Sequence, residues 1–361
     1  MFCFSPSLEH QDAAKNLQKL FSPSILSTGL NRSIQNLQRS FDSFIRFHPT
    51  PWPAPGLQLT PEIHYQSELW LPQAEINTAF QQFYRSSLNY QPIFASTPFA
   101  DAASWADIIG HMPSLFFEDT INPATMLKRL QTDLELKKKF IFWSFMPQRY
   151  YGNNPNRYPD QTRFILNRLP NHEQKTGRLN FLDAACGDGI GTYLLAGELL
   201  KTGIAPNSFH IEGWTLDPLE AWSAAHASFP HDPCREASFR AIAQPVISSS
   251  ADVSILFKQA DLLKQPAASQ TFDVIICNGL LGGPIINRLD EMHRIIKNMV
   301  AAIGTGGMLL AANCFHGGWK QKCPQEDLKA LFKLNNLKVL EAGEGICGIK
   351  QGWNYLSSSS P

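Results

Sequence analysis

From residue 178 onward, short apolar runs alternate with helical stretches, and this alternation constrains the fold more than any other feature of the chain. NFLDAA, FHIEGWTL, SILFKQA and FDVIICN read as strands, and GGMLLAANC, LKVLEA and GICGIKQ add three more. Between them, GTYLLAGELL and PLEAWSAAHASF read as helices. In RLDEMHRIIKNMVAAI, Leu289, Met292, Ile295, Ile296, Met299 and Val300 share one helical face. Repeated strand–helix units bury both faces of a sheet when the strands run mostly parallel with helices on either side. The expectation is an α/β fold with a doubly wound, mostly parallel sheet of seven strands. Ligands of such sheets bind at the carboxyl ends of the strands, beside the point where strand order reverses. The residues that follow the first four strands are therefore the candidates for chemistry.

The turn after the first strand reads Asp183-Ala184-Ala185-Cys186-Gly187-Asp188-Gly189-Ile190-Gly191. Small residues between a strand and a helix let the backbone approach a ligand, and the helix N-terminus offers free N–H groups. A dinucleotide fingerprint G-x-G-x-x-G needs glycine at 192, where Thr192 stands, and no phosphate loop G-x-x-x-x-G-K-[ST] is present. Asp217, followed by Pro218, ends the second strand, where a carboxylate can accept hydrogen bonds from both hydroxyls of a ribose. Its plainer reading is a helix N-cap. Asp261 and Leu262 follow the third strand, where a polar side chain reaches an adenine amino group or only shapes a turn. Cys277, Asn278 and Gly279 follow the fourth strand.

Residues 1–147 read as helices separated by proline-rich breaks, a mainly α-helical domain preceding the sheet. Ile34, Leu37, Phe41, Phe44 and Ile45 recur at helical spacing, as do Ile76, Phe80, Phe83, Tyr84 and Leu88. A third helix from Pro123 carries Met126, Leu127, Leu130 and Leu134 and is expected to end in a solvated Lys137-Lys138-Lys139. These stripes read as core-facing helix faces. The segment from Pro230 to Asp252 mixes turn residues with a short apolar run and is left open.

The glycine-rich turn resembles the first motif of class I S-adenosyl-L-methionine (SAM) methyltransferases, hydrophobic-hydrophobic-Asp-x-Gly-Cys-Gly-x-Gly, with Ala185 in place of the first glycine. Read in order, QRYYGNNPNRYPDQTRFILNRLP, LDAACGDGIGTYLLA, TLDPLEA, FKQADLL, FDVIICNGLLGGP and GICGIKQ resemble the chemotaxis-receptor (CheR-type) methyltransferases over roughly residues 148–350. That family carries a Tyr-Phe-Phe-Arg-Asp-like segment before the sheet and Ala-Gly-Cys-Ser-x-Gly in the loop. It has Asn-Leu-Leu after strand three and Phe-Asp-hydrophobic-Ile-x-Cys-Arg-Asn after strand four. The resemblance implies a Rossmann-like methyltransferase sheet in residues 148–361, SAM as cofactor and S-adenosyl-L-homocysteine (SAH) as product. It implies cofactor contacts from Asp183, Ala184, Ala185, Cys186, Gly187, Asp188, Gly189, Asp217, Pro218, Asp261, Leu262, Cys277, Asn278 and Gly279.

The chain also departs from that pattern. The family's arginine before the sheet falls on Gly152 or Asn153, its Arg-Asn pair on Asn278-Gly279, and its later aromatic pair on Gly282-Gly283. Those groups surround the methyl donor and the incoming glutamate in that family. Arg149, Tyr150, Tyr151, Arg157 and Tyr158 are available to replace them. Asn278, Tyr151 and His316 are the candidates for a base or a group that positions the acceptor. The remaining histidines, His210 and His293 among them, show no metal-ligand spacing.

Composition narrows the function classes. Lys plus Arg, 31, cancels Asp plus Glu, 31, which argues against a broad nucleic-acid or anionic-membrane surface. The seven cysteines form no CxxC pair, so neither a zinc knuckle nor a disulfide scaffold is indicated. With no basic and apolar leader and no run of about 18 apolar residues, the expectation is a cytoplasmic protein. Three functions follow: a SAM-dependent methyltransferase acting on a protein carboxylate or a small molecule, a non-catalytic SAM/SAH-binding sensor or interaction protein, and a dinucleotide-dependent oxidoreductase.

Overall fold

The computed structural model describes residues 1–22, 28–47, 58–116, 121–146, 155–169, 177–248, 253–264, 271–283, 285–312 and 324–351. Contacts divide the chain into two units, one of residues 14–150 with 229–234, the other of 1–13, 151–228 and 235–361.

The first unit is helical. Helix α1 is His10–Leu20, α2 Thr28–Phe47, α3 Pro61–Trp70, α4 Gln73–Ser87, α5 Pro98–Asp101, α6 Trp105–His111, α7 Pro123–Thr132 and α8 Leu134–Phe145. The periodic residues of α2 and α4 face the core, except that Ile45 is exposed. The stretch expected as one helix from Pro123 is two. Asp133 ends α7 and caps α8, its carboxylate accepting from Leu136 N at 2.9 Å. The lysine triplet consequently lies in the middle of α8 rather than at a solvated end, and Lys137 is only 3% exposed. Aromatic rings fill the centre: Phe80 lies 4.3 Å from Phe99 and 5.7 Å from Phe140, and Tyr84 stacks on Phe140. The Tyr84 hydroxyl donates to Ser144 Oγ at 2.8 Å, so its polar end is satisfied inside the core.

The second unit is a sheet flanked by helices. Its strands are β1 Cys3–Phe4, β2 Leu179–Asp183, β3 Phe209–Thr215, β4 Ser254–Gln259, β5 Phe272–Ile276, β6 Ile303–Ala312, β7 Leu337–Ala342 and β8 Gly345–Lys350. Among the described residues its helices are α9 Pro159–Leu166, α10 Ile190–Lys201, α11 Pro218–His226, α12 Pro233–Ser248, α13 Leu289–Ala302 and α14 Gln325–Leu334. The strand order is β1-β4-β3-β2-β5-β6-β8-β7. Strands β4, β3, β2, β5 and β6 run parallel, while β8 pairs antiparallel with β6 and β7. All seven expected strands form, but among the described residues the sheet is a mixed one of eight. The additional β1 pairs antiparallel with β4, Phe4 opposite Phe257 and Cys3 opposite Lys258, and covers an edge that would otherwise present unpaired backbone.

The open segment after Pro230 is largely helix α12, with Pro245 inside it. On α13, Met292, Ile295, Ile296 and Met299 are buried as expected, while Leu289 is exposed. No helix among the described residues is long and apolar enough to cross a membrane.

Candidate functional site

Strand order reverses at β2, which has β3 on one side and β5 on the other. The loop that follows it is tied to both neighbours. Ala184 N donates to Ile276 O at 2.7 Å on the β5 side, and Cys186 N donates to Trp214 O at 3.0 Å on the β3 side. Gly187 and Gly189 both have positive φ, +54° and +86°, and their surroundings differ. A Cβ on Gly187 would meet nothing within 4 Å, whereas one on Gly189 would lie 2.6 Å from Ala224 Cβ and 2.8 Å from Phe257 Cε1. Gly189 is therefore demanded by packing against α11 and β4, while nothing crowds the position of Gly187.

Asp183 is buried at the end of β2, and its Oδ2 accepts from Thr192 Oγ1 at 2.8 Å. Burial pushes its carboxyl up to about 6; the Thr192 bond opposes that shift, and the charge of Asp188 reinforces it. Thr192 itself is fully buried and bonded to Asp183, so the position where a dinucleotide fingerprint has glycine serves here to hold the loop's first residue. Asp188 accepts from Ile190 N at 3.3 Å and pairs with Arg235 at 2.7 Å. Burial, then the neighbouring acids, push the Cys186 thiol well above its ordinary value; burial pushes Cys277 up to about 12. Neither is a ready nucleophile.

The other expected positions follow the neighbouring strands in register. Asp217 caps α11, its Oδ1 accepting from Leu219 N at 2.8 Å, with Pro218 buried as the first helical residue. Asp261 shapes a turn, its Oδ1 accepting from Leu263 N at 3.0 Å and its Oδ2 pairing with Lys264 at 3.1 Å. The backbone carbonyl of Leu262 accepts from Asn298 Nδ2. Thus the cap and turn readings of the two aspartates hold as local geometry, and each carboxylate stands at a parallel strand end. Tyr151 and His316 lie outside the described residues, as do Arg149, Tyr150, Gly152 and Asn153.

Asn278 is held by a partner the sequence did not single out. Its Oδ1 accepts from the backbone N–H of Ala312 at 2.9 Å and from Gln161 Nε2 at 3.2 Å, while its Nδ2 donates to Gln161 Oε1 at 2.7 Å. The Ala312 donor fixes which end of the Asn278 amide is oxygen, and that in turn orients Gln161. Gln161 is 2% exposed, and α9, which carries it, is anchored by Glu344. The two Glu344 carboxylate oxygens accept from Asp160 N at 3.0 Å and Gln161 N at 2.8 Å. This places an anion at a helix N-terminus. Replacing Gln161 with leucine is expected to lower stability by about 1–3 kcal/mol, because an Asn278 donor loses its partner; urea denaturation measures it.

Residues 154–313 match the family model described as CheR methyltransferase, SAM binding domain. This segment is similar to the SAM-binding domain of the CheR methyltransferases. The matched segment takes in β2 to β6 and the residues that follow β2, β3, β4 and β5. SAM is its cofactor. No curated protein sequence matches the chain.

Among solved structures, the N-methyltransferase NodS of Bradyrhizobium japonicum in complex with SAH is similar at 15% identity, over 60% of this chain and 96% of that one, with TM-score 0.34. Magnesium protoporphyrin IX methyltransferase of Synechocystis with bound SAM matches at 13% identity over 59% and 91%, TM-score 0.36. A TehB-like SAM-dependent methyltransferase of Corynebacterium glutamicum matches at 17% identity over 54% and 88%, TM-score 0.32.

The open backbone at Gly187, the start of α10 beyond Gly189 and the carboxylates of Asp217 and Asp261 fit a ligand with an amino-acid end, a ribose and an adenine.

Proposed function

We propose that the chain is an active SAM-dependent methyltransferase that methylates a protein carboxylate or a small molecule, with the N-terminal helical domain helping to select the acceptor. The supporting observation is the loop after β2, hydrogen-bonded to both neighbouring strands and open at Gly187. On this reading residues 183–189 hold the methionine end of SAM and the carboxylate of Asp217 accepts from the ribose. Asp261 and Leu262 border the adenine, and residues 277–279 border the methyl group. Bound SAM supplies a methyl made electrophilic by its sulfonium. The protein's own task is alignment of the acceptor, and such positioning contributes on the order of 7–11 kcal/mol to well-oriented reactions. A carboxylate acceptor needs no general base, consistent with buried, unreactive thiols at 186 and 277 and an Asn278 amide engaged on both ends.

That engagement of Asn278, together with glycines at 279, 282 and 283, also favours a second reading, a SAM/SAH-binding protein without transfer activity. Methyl-labelled SAM incubated with cell extract separates the two, since only an enzyme moves label onto an acceptor.

The test of the cofactor site is calorimetric titration with SAM and SAH. Micromolar binding, about −8 kcal/mol, is expected for the native chain. Asp217→Ser keeps a side-chain oxygen to cap α11 but removes the charge that accepts from ribose. It is expected to lose at least about tenfold in affinity without a matching loss of thermal stability. Undiminished binding by this variant would remove Asp217 from the site.

A further inference from the structure

Among the described residues, the loop that carries Gly187 and Gly189 has an ionic tether from a helix outside the strand–helix alternation. Helix α12 is inserted between α11 and β4, and from it Arg235 Nη2 reaches Asp188 Oδ2 at 2.7 Å. Asp188 sits between the two positive-φ glycines, and its other oxygen accepts from Ile190 N at the start of α10. Glycine on both sides makes this the most permissive backbone of the loop, and it would have to be ordered whenever a ligand rests on it. A side chain that already holds the loop lowers that ordering cost. Both members of the pair are mostly buried, with side chains 23% and 17% exposed, so solvent screens them less than an ordinary surface pair.

The helix that presents Arg235 is itself firmly placed. Ser228 Oγ donates to Glu236 Oε2 at 3.0 Å, and Arg240 Nε donates to Ala227 O at 3.0 Å. Phe239 packs its ring edge-on against Tyr193 of α10, 5.7 Å between centroids, and the Tyr193 hydroxyl donates to Ala224 O at 2.8 Å. Arg235 is therefore a fixed post, and Asp188 is the point at which the loop is fastened to it.

We propose that Arg235 is a positioning residue for the cofactor: it touches no reacting atom but holds Asp188, and through it the Gly187–Gly189 backbone, in the shape that binds SAM. This rests on the assignment of the loop to the cofactor site made above. Because the pair lies on the loop and away from any change at the sulfonium, it should affect SAM and SAH alike.

The full-length protein is titrated calorimetrically with SAH as probe, and melting temperatures are taken without ligand. Arg235→Met keeps the length and apolar stem of the side chain but removes the charge, and Asp188→Asn keeps the bond to Ile190 N but weakens the pair. Each is expected to raise the SAH Kd about tenfold, the double variant no more than either single one, and Arg235→Lys to recover most of the affinity. The unliganded melting temperatures should change little across the set. A purely structural ion pair would lower the melting temperature and leave the Kd within twofold of native, which overturns the proposal; strictly additive effects on Kd overturn it too. If Arg235→Met fails to fold, Asp188→Asn and Arg235→Lys carry the same comparison. A folded native chain that binds no SAH overturns the cofactor-site assignment along with this one, a result distinct from native binding that Arg235 does not influence.

Discussion

Gly189→Val is expected to destabilise the sheet unit by about 2–5 kcal/mol, whereas Gly187→Ala should leave it folded and still weaken SAM binding about tenfold or more. The contrast rests on what each Cβ would meet. At Gly189 a side chain must adopt φ +86°, a region that costs an L-residue about 1–2 kcal/mol. Its Cβ would also stand 2.6 Å from Ala224 Cβ and 2.8 Å from Phe257 Cε1, both fully buried and unable to withdraw into solvent. Overpacking of that kind costs about 1–3 kcal/mol more. Set against a total stability of about 5–15 kcal/mol, the sum removes a large fraction of the margin. At Gly187 the φ of +54° lies in the same left-handed region, but the space is open, so only the backbone strain remains. On the proposed function, a methyl there would intrude where the ligand approaches the loop. Thermal melting and SAH titration on the two variants separate the effects: equal loss of affinity per degree of melting temperature would mean that Gly187 matters to the fold and not to the ligand.

The parallel sheet and the loop after β2 were legible because each is written in local sequence. An apolar run ending in small residues announces β2, an apolar run announces β5, and the helical period announces α13, with Met292, Ile295, Ile296 and Met299 on its buried face. What escaped depends on partners remote in the chain or on elements too short to have a period. Strand β1 is two residues long and becomes a strand by pairing with β4. Helix α12 carries Pro245 in its interior, which removes a backbone donor and reads as a break. The division of α7 from α8 turned on Asp133, whose capping role is plain only once the chain before it is seen to end. In the site, the strand-end carboxylates could be named from spacing. Gln161, by contrast, meets Asn278 across 117 positions and Glu344 meets Gln161 across 183, and no local pattern connects them. Arg235 lies on the same helix α12, whose helical pattern Pro245 interrupts. The signal for Gln161 is its place in the family-like stretch before the sheet, where arginines and tyrosines carry the more conspicuous chemistry.

Acidification should erase a further contribution to stability, held by Glu212 in the middle of β3. Its carboxylate is buried, which alone would push its pKa up. His210, Lys258 and Trp214 bond to it, and with the Lys258 charge they outweigh burial and hold it down at about 2, against 4.5 ordinarily. The contacts are close: Lys258 Nζ donates to Oε1 and Trp214 Nε1 to Oε2, each at 2.7 Å, while His210 Nε2 lies 3.5 Å from Oε1. A carboxylate whose folded pKa is depressed stabilises the fold fully above its unfolded pKa, and the contribution disappears as pH falls through the folded value. Here the window runs from about pH 4.5 down to about 2, and the shift corresponds to about 3 kcal/mol. Glu212→Gln, which can satisfy only one of the two close donors, is therefore expected to lose about 3 kcal/mol at pH 7. The gap between native and variant should narrow below pH 4.5 and nearly close at pH 2. Urea denaturation at pH 7, 4 and 2 measures it directly. A gap that stays constant across that range would mean that shape and hydrogen bonding at Glu212, and not its charge, join β3 to Lys258 on β4.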